Sequence, residues 1–259
     1  MSSDLTDSQW DFIEPHIPPL PVRADGKGRP WRNSREVLNG ILWILRTGAH
    51  WSELPDSYPP YQTCHRRFQQ WVKQGVMDCI LEALAEDLER RGHINLDECF
   101  IDGSFSSAKK GGMELGPTKR GKGTKIMAIA DRNGLPVSLW ATSASPHETK
   151  LVEELLIQRS LSTLPKILIG DRAYDSDPLD KSCLSHGIEF VAPHRRGRKR
   201  APTQDGRPLR RYKRRWKVER LFAWLHNFRR IVTRYEYKLE NYQGFLRLAG
   251  FMILARKYL

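Results

Sequence analysis

The chain has 259 residues, 39% of them apolar and 10% aromatic, enough to bury one large core or two modest ones and too many for a disordered chain. Lys and Arg number 43 against 30 acidic residues, a net charge of +13 that points to a polyanionic partner, nucleic acid first among them. No run approaches the roughly 20 apolar residues of a membrane span, the amino terminus lacks a basic-then-apolar leader, and the four cysteines form no C-x-x-C pair, so a cytoplasmic protein without disulfides or structural zinc is expected.

In chain order, Leu5, Trp10 and Ile13 mark a short amphipathic helix, followed by a linker stiffened by Pro15, Pro18, Pro19, Pro21 and Pro30. Asn33 and Glu36 resemble a capping box, and Val37, Leu38, Ile41, Leu42 and Leu45 predict a helix ending at Gly48. A short element at 51–54 precedes the Pro59–Pro60 break. In the next helix Tyr61, Cys64, Phe68, Trp71 and Val72 are expected inside, and His65, Arg66, Arg67, Gln69, Gln70 and Lys73 outside. This looks like helix, turn, helix, whose second helix would present Arg66, Arg67 and Gln70 to base edges; an ordinary bundle with a polar face fits the same residues equally well. A helix with Val76, Ile80, Leu81, Leu84 and Leu88 closes the unit at Gly92.

Beyond it the pattern changes. NLDECFIDGS reads as a strand ending in Asp102, and KIMAIADRNGLPVSLWATS as two strands joined at Asn133–Gly134. A helix at HETKLVEELLIQRS, a buried strand KILIGD ending in Asp171, a helix at SDPLDKSCLSHG, a strand IEFVAP and a long basic helix at 211–230 follow. The order βββαβαβα predicts an α/β domain at 96–259, with a basic insertion around 193–210 and a carboxy-terminal helix from about 241 to 258, preceded by an all-α domain at 1–95. The stretch 116–122 imitates a P-loop but has Gly123 where Ser or Thr is required, so 106–123 reads as a flexible basic loop.

Residues 193–234 hold sixteen Lys and Arg, opposed only by Asp205 and Glu219, so this one segment carries the excess charge. Its first part, with Arg195 and Arg196, suits a solvated loop that orders on a polyanion. From Arg210 onward Trp216, Val218, Leu221, Phe222, Leu225 and Phe228 recur at helical spacing, which predicts a packed helix with a basic exposed side.

Three acids stand where a carboxylate is costly unless it has a function. Asp102 and Asp171 lie at strand ends, and Glu219 is alone in the basic helix. Singly, a turn cap or a surface ion pair explains each of them. Together, on the first strand, fourth strand and last helix of the unit, they supply the hard oxygen donors of a site in which two Mg²⁺ ions about 3.5–4 Å apart serve an in-line phosphoryl transfer.

These residues resemble the DDE transposases of bacterial insertion sequences, with a ribonuclease H-like core, and most nearly the insertion-sequence-five family. FIDGS carries Asp102, IGDRAYDS carries Asp171, and RRYKRRWKVERLFAWLHNFRR carries Glu219. The family's Tyr-x2-Arg-x3-Glu-x6-Lys/Arg signature falls on Tyr212, Arg215 and Glu219, with His226 in the last, normally basic, place; Lys217, Arg229 or Arg230 stand nearby to supply that charge. On a helix the four share one face.

The resemblance implies a metal-dependent recombinase that binds double-stranded DNA at its element's inverted repeats, cleaves to free 3′-hydroxyls and joins them to target DNA. Mg²⁺, replaceable by Mn²⁺, would be held by Asp102, Asp171 and Glu219, Tyr212 and Arg215 would place the scissile phosphate, and a homodimer would pair two ends near the nucleoid. His147, Glu148 and Asp175 are lesser candidates, as caps or supporting groups. A DNA-binding regulator that cuts nothing and a simple nuclease of the same fold are the competing expectations.

Overall fold

The computed structural model of the protein describes residues 4–20, 30–199, 201–203 and 209–259. Helix α1 (Asp7–Ile13) starts at a capping box in which the Thr6 hydroxyl accepts from the Gln9 backbone N–H and the Gln9 side chain answers to Thr6. The linker expected after it lies largely at 21–29, outside the described residues. Helix α2 (Ser34–Thr47) is capped by the Asn33 side chain, which accepts from the backbone of Arg35 and Glu36, and Gly48 ends it in the left-handed conformation. A 3-10 turn (Trp51–Glu53) leads to α3 (Tyr61–Lys73), and α4 (Val76–Arg90) follows at Gly75. Residues 48–60 separate α2 from α3, a far longer connection than the tight turn expected of a helix-turn-helix pair.

The sheet is built from β1 (Cys99–Ala108), β2 (Gly116–Thr118), β3 (Gly121–Ala130), β4 (Pro136–Ser143), β5 (Ile167–Ile169), β6 (Glu189–Val191) and β7 (Thr233–Arg234). Strands β4, β3 and β1 run antiparallel, and β1, β5 and β6 continue in parallel. Between them lie α5 (Val152–Ile157) and α6 (Asp177–Ser185); after β6 come α7 (Trp216–His226), α8 (Arg229–Val232) and α9 (Leu239–Tyr258). The mixed sheet flanked by helices agrees with the expected α/β core, and the β3–β4 hairpin turns where expected, with Asp131 accepting from the backbone of Asn133 and Leu135 and Gly134 at φ 80°.

Three expectations need correction. Strand β1 runs six residues past Asp102, because its polar end, Ser104 to Ser107, pairs with Gly123 to Ile126 of β3. The stretch 106–123 is therefore the end of β1 and the β2–β3 hairpin as well as a loop. The long basic helix expected at 211–230 is broken into three pieces: Arg210–Arg214 form a 3-10 turn, α7 begins only at Trp216, and the chain breaks again before α8, where Phe228 turns to extended backbone and is buried.

Helix α9 is apolar on nearly every side because it lies between two layers. Added Cβ atoms at Gly244 and Gly250 would stand 2.4 Å from the Val72 side chain of α3 and 2.6 Å from that of Leu139 of β4, so glycine permits both close crossings. The amino-terminal helices and the sheet thus share one hydrophobic core, with α4 packed along α9 and α2 against α8.

Much of the basic charge near the carboxy terminus holds this core. Arg234 is fully buried and donates to the Thr124 hydroxyl and to the carbonyls of Met113, Glu236 and Tyr237 at 2.7–3.0 Å. Arg230 pairs with Glu236 at 2.7 Å and donates to the Ala49 carbonyl. Replacing Arg234 by methionine strands several buried acceptors, so R234M should lose about 3–5 kcal/mol of stability in urea denaturation. A loss below about 1 kcal/mol would show that these bonds do not hold the sheet to the last turn.

Candidate active site at the edge of strand β1

Register places the first two acids side by side. Phe100 of β1 pairs with Ile169 of parallel β5, and Asp102 and Asp171 each lie two residues further on, Asp102 within β1 and Asp171 just past the end of β5. The same edge of β1 is paired again by β7 at Ser107 and Ala108, so Asp102 falls in the gap between two short partners. Asp102 Oδ1 accepts from the Gly103 N–H, and Asp171 caps the next 3-10 turn (Arg172–Tyr174) by accepting from the Ala173 N–H at 2.7 Å. Burial raises the Asp102 pKa, assisted by the Asp171 charge and opposed by the Gly103 N–H and Arg215.

Glu219 comes from α7, which packs on β1 and β3. One guanidinium joins it to the first acid: Arg215 donates through Nη1 to Asp102 Oδ2 and through Nη2 to Glu219 Oε1, both at 2.6 Å. The Arg215 guanidinium also lies 5.9 Å from the centre of the Tyr212 ring, so Tyr212, Arg215 and Glu219 share a face as the helical spacing requires. The neighbouring Arg214 pairs with buried Glu98 at 2.6 Å and ties this segment to the start of β1.

Other acids stand close by. Glu148 lies over Gly103, where an added Cβ would meet its Oε1 at 2.8 Å, and pairs with Lys125 of β3 at 3.6 Å. Tyr174 is fully buried beneath the site, its hydroxyl without a well-formed hydrogen bond, and burial together with the charges of Glu148, Asp102 and Asp171 drives its pKa well up. Lys125 and Tyr174 were missed in the sequence; a lone lysine in an apolar strand and a tyrosine within IGDRAYDS were their only signals. His147 caps the 3-10 turn Glu148–Lys150 by accepting from the Thr149 N–H.

Asp175 neither caps α6 nor faces the acids. It binds the His194 ring, the Arg195 N–H and the Arg198 guanidinium at 2.8–2.9 Å, and these partners hold its pKa down although burial opposes them. The start of the basic insertion is thereby clipped to the turn that carries Asp171. Of that insertion, residues 200 and 204–208 lie outside the described residues.

The remaining basic candidates divide by burial. Arg66 and Gln70 are exposed on α3, Arg196 on the insertion and Arg229 on α8. Arg67 is buried, donates to the Ser34 hydroxyl and stacks on Trp71, and Arg230 is engaged in the core, so both are structural residues and not surface contacts. Lys217 turns away from the acids to the Arg132 carbonyl at the β3–β4 tip, and Arg195 donates to the carbonyls of Arg172 and Ala173. His226 lies at the end of α7, where partial burial lowers its pKa and favours the neutral imidazole. A cleft of about 430 Å³ opens at the polar end of β1, lined by Gly103, Phe105, Lys119, Arg120, Lys125 and Glu148.

The donor set suits a hard divalent cation: carboxylate oxygens, and a guanidinium already standing between two acids as a cation would. Among the described residues, no three His, Cys, Asp or Glu side chains stand close enough to hold an ion together.

Residues 96–254 match the family model described as the transposase DDE domain, and residues 5–81 a model for transposases of the IS4/5 family. A Brucella ovis protein named as transposase for insertion sequence element IS6501 is 32% identical over 51% of this chain and 98% of its own length. A Burkholderia cepacia protein named for the IS402 transposase is 33% identical over 53% of this chain, which spans 65% of that relative. Among solved structures, the piggyBac transposase in a synaptic complex with hairpin DNA aligns with 91% of this chain and 69% of its own at a TM-score of 0.50 and 12% identity, a likeness of fold alone. By the match of its sequence to these family models and relatives, the chain belongs to the DDE transposase family of insertion sequences, in the IS4/5 group.

Proposed function

We propose that the protein binds the terminal inverted repeats of its own element and catalyses metal-dependent cleavage and strand transfer of DNA, with Asp102, Asp171 and Glu219 as the ion-holding acids. The observation that supports this reading is the pairing of β1 with β5, which sets Asp102 and Asp171 on adjacent chain segments, together with the Arg215 bridge from Asp102 to Glu219 of α7. Two Mg²⁺ ions, or Mn²⁺ in their place, would supply Lewis-acid stabilisation of the attacking and leaving oxygens. Asp102 and Asp171 hold their positions through backbone donors, and Glu219 closes the site from α7. Arg215 and Tyr212 are placed to orient the scissile phosphate, and the basic wall of the cleft, Lys119 and Arg120, to guide the strand beyond it. Synapsis of two ends makes a homodimer the working form.

The decisive assay uses labelled duplexes carrying the element's ends with Mg²⁺ or Mn²⁺. Asp102→Asn, Asp171→Asn and Glu219→Gln should each cut strand cleavage and joining by about a thousandfold or more while leaving duplex binding in place. Binding without metal-dependent cleavage would favour the DNA-binding regulator, and cleavage without joining the simple nuclease.

Burial predicts which arginines touch DNA. Arg66→Ala and Arg229→Ala should each lower the salt dependence of duplex binding by about one phosphate contact without changing the melting temperature. Arg67→Ala and Arg230→Ala should do the reverse, destabilising the fold with the salt slope intact; a common effect of all four would contradict the assignment.

A further inference from the structure

Arg215 occupies the position in which a metal ion would be expected to join Asp102 to Glu219. It uses a different guanidinium nitrogen for each carboxylate, both at 2.6 Å, and with Asp102 it is largely shielded from solvent, whereas Glu219 is 55% exposed. Asp171, by contrast, accepts from a backbone N–H, that of Ala173. A divalent ion approaching this arrangement meets one oxygen of Asp102 and one of Glu219 already engaged, and a fixed positive charge in contact with both.

We propose that Arg215 is the resident counter-cation of the acid site, released only when a phosphate group of DNA is offered in exchange, so that the free protein resists ion loading and DNA binding opens the site. The inference rests on the reading of Asp102, Asp171 and Glu219 as the ion-holding set and adds a control over when they are available. Arginine suits the exchange because its planar fork spans two carboxylates and pairs equally well with two phosphate oxygens. Release need not disturb the backbone. Arg214 stays paired with buried Glu98 and keeps the segment fastened to β1, while the Tyr212 ring lies beside the guanidinium on the open side. The Glu219 end of the bridge, being half in water, is the end that parts first.

The two roles of Arg215 are sequential. Without DNA it neutralises two acids that would otherwise repel each other and Asp171; with DNA it contacts the phosphate while the acids become free for ions. A permanent brace would have the same geometry in the free protein but would never yield.

The test is Mn²⁺ binding to the full-length protein, read from the electron paramagnetic resonance of free Mn²⁺, without DNA and then with a short duplex. Arg215→Gln should bind Mn²⁺ at least about tenfold more tightly than the wild type in the absence of DNA, and Asp102→Asn in that background should abolish the gain. The duplex should raise wild-type Mn²⁺ affinity toward that of Arg215→Gln and change the variant little. Arg215→Lys, whose ammonium lacks the fork, should fall between them, and it serves as the readout if the glutamine variant proves unfolded by its melting temperature. Equal Mn²⁺ affinity of wild type and Arg215 variants, still lost on Asp102→Asn, would overturn the exchange and leave the ion-holding acids standing. Mn²⁺ binding indifferent to Asp102 in every variant would overturn the acid set itself and the exchange with it.

Discussion

A carboxylate site that gathers acids from separate elements must be neutralised before any ion arrives, and in this protein one guanidinium does it. The Arg215 bridge joins Asp102 on β1 to Glu219 on α7 at the point where the chemistry is expected. Remove it and like charges face one another across a partly desolvated gap, at a cost that grows as water is excluded. The Arg214–Glu98 pair and the packing of α7 on β1 and β3 make sense as supports of that one contact.

The supports reach across the molecule. Helix α9 carries the sheet on one side and α3 and α4 on the other, and its two glycines allow backbones to approach where side chains would collide. Arg247 of α9, buried, pairs with Asp78 of α4 at 2.9 Å and donates to the Gln158 carbonyl beyond α5. The amino-terminal helices and the sheet are therefore packed on the two sides of one helix.

The three acids stood out in the sequence because a carboxylate next to an apolar strand run, or alone in a basic helix, is anomalous on physical grounds; the structure sets Asp102 and Asp171 on adjacent segments and links Asp102 to Glu219 through Arg215, and their ion-holding role is the proposal. The spacing of Tyr212, Arg215 and Glu219 likewise foretold a shared face. Charge counting was less informative, since it cannot separate an arginine whose donors are met by buried carbonyls from one that waits in solvent; Arg67, Arg230 and Arg234 all fell on the buried side. The far half of β1 was hidden by serines, one of which, Ser106, is buried and donates its hydroxyl to the Ile231 carbonyl. The contact of Glu148 with Gly103 comes from loop closure across the sheet, and no local pattern announces it. The exchange at Arg215 was equally invisible, because a signature spacing gives a common face but not the partner that a side chain chooses when its ligand is absent.

The central claim is best tested by a crystal structure of the protein bound to an element end in Mn²⁺, with anomalous scattering to locate the metal. The account predicts Mn²⁺ among Asp102, Asp171 and Glu219, with the Arg215 guanidinium moved onto a DNA phosphate. Arg215 still bridging Asp102 and Glu219, with DNA and metal both bound, would contradict it.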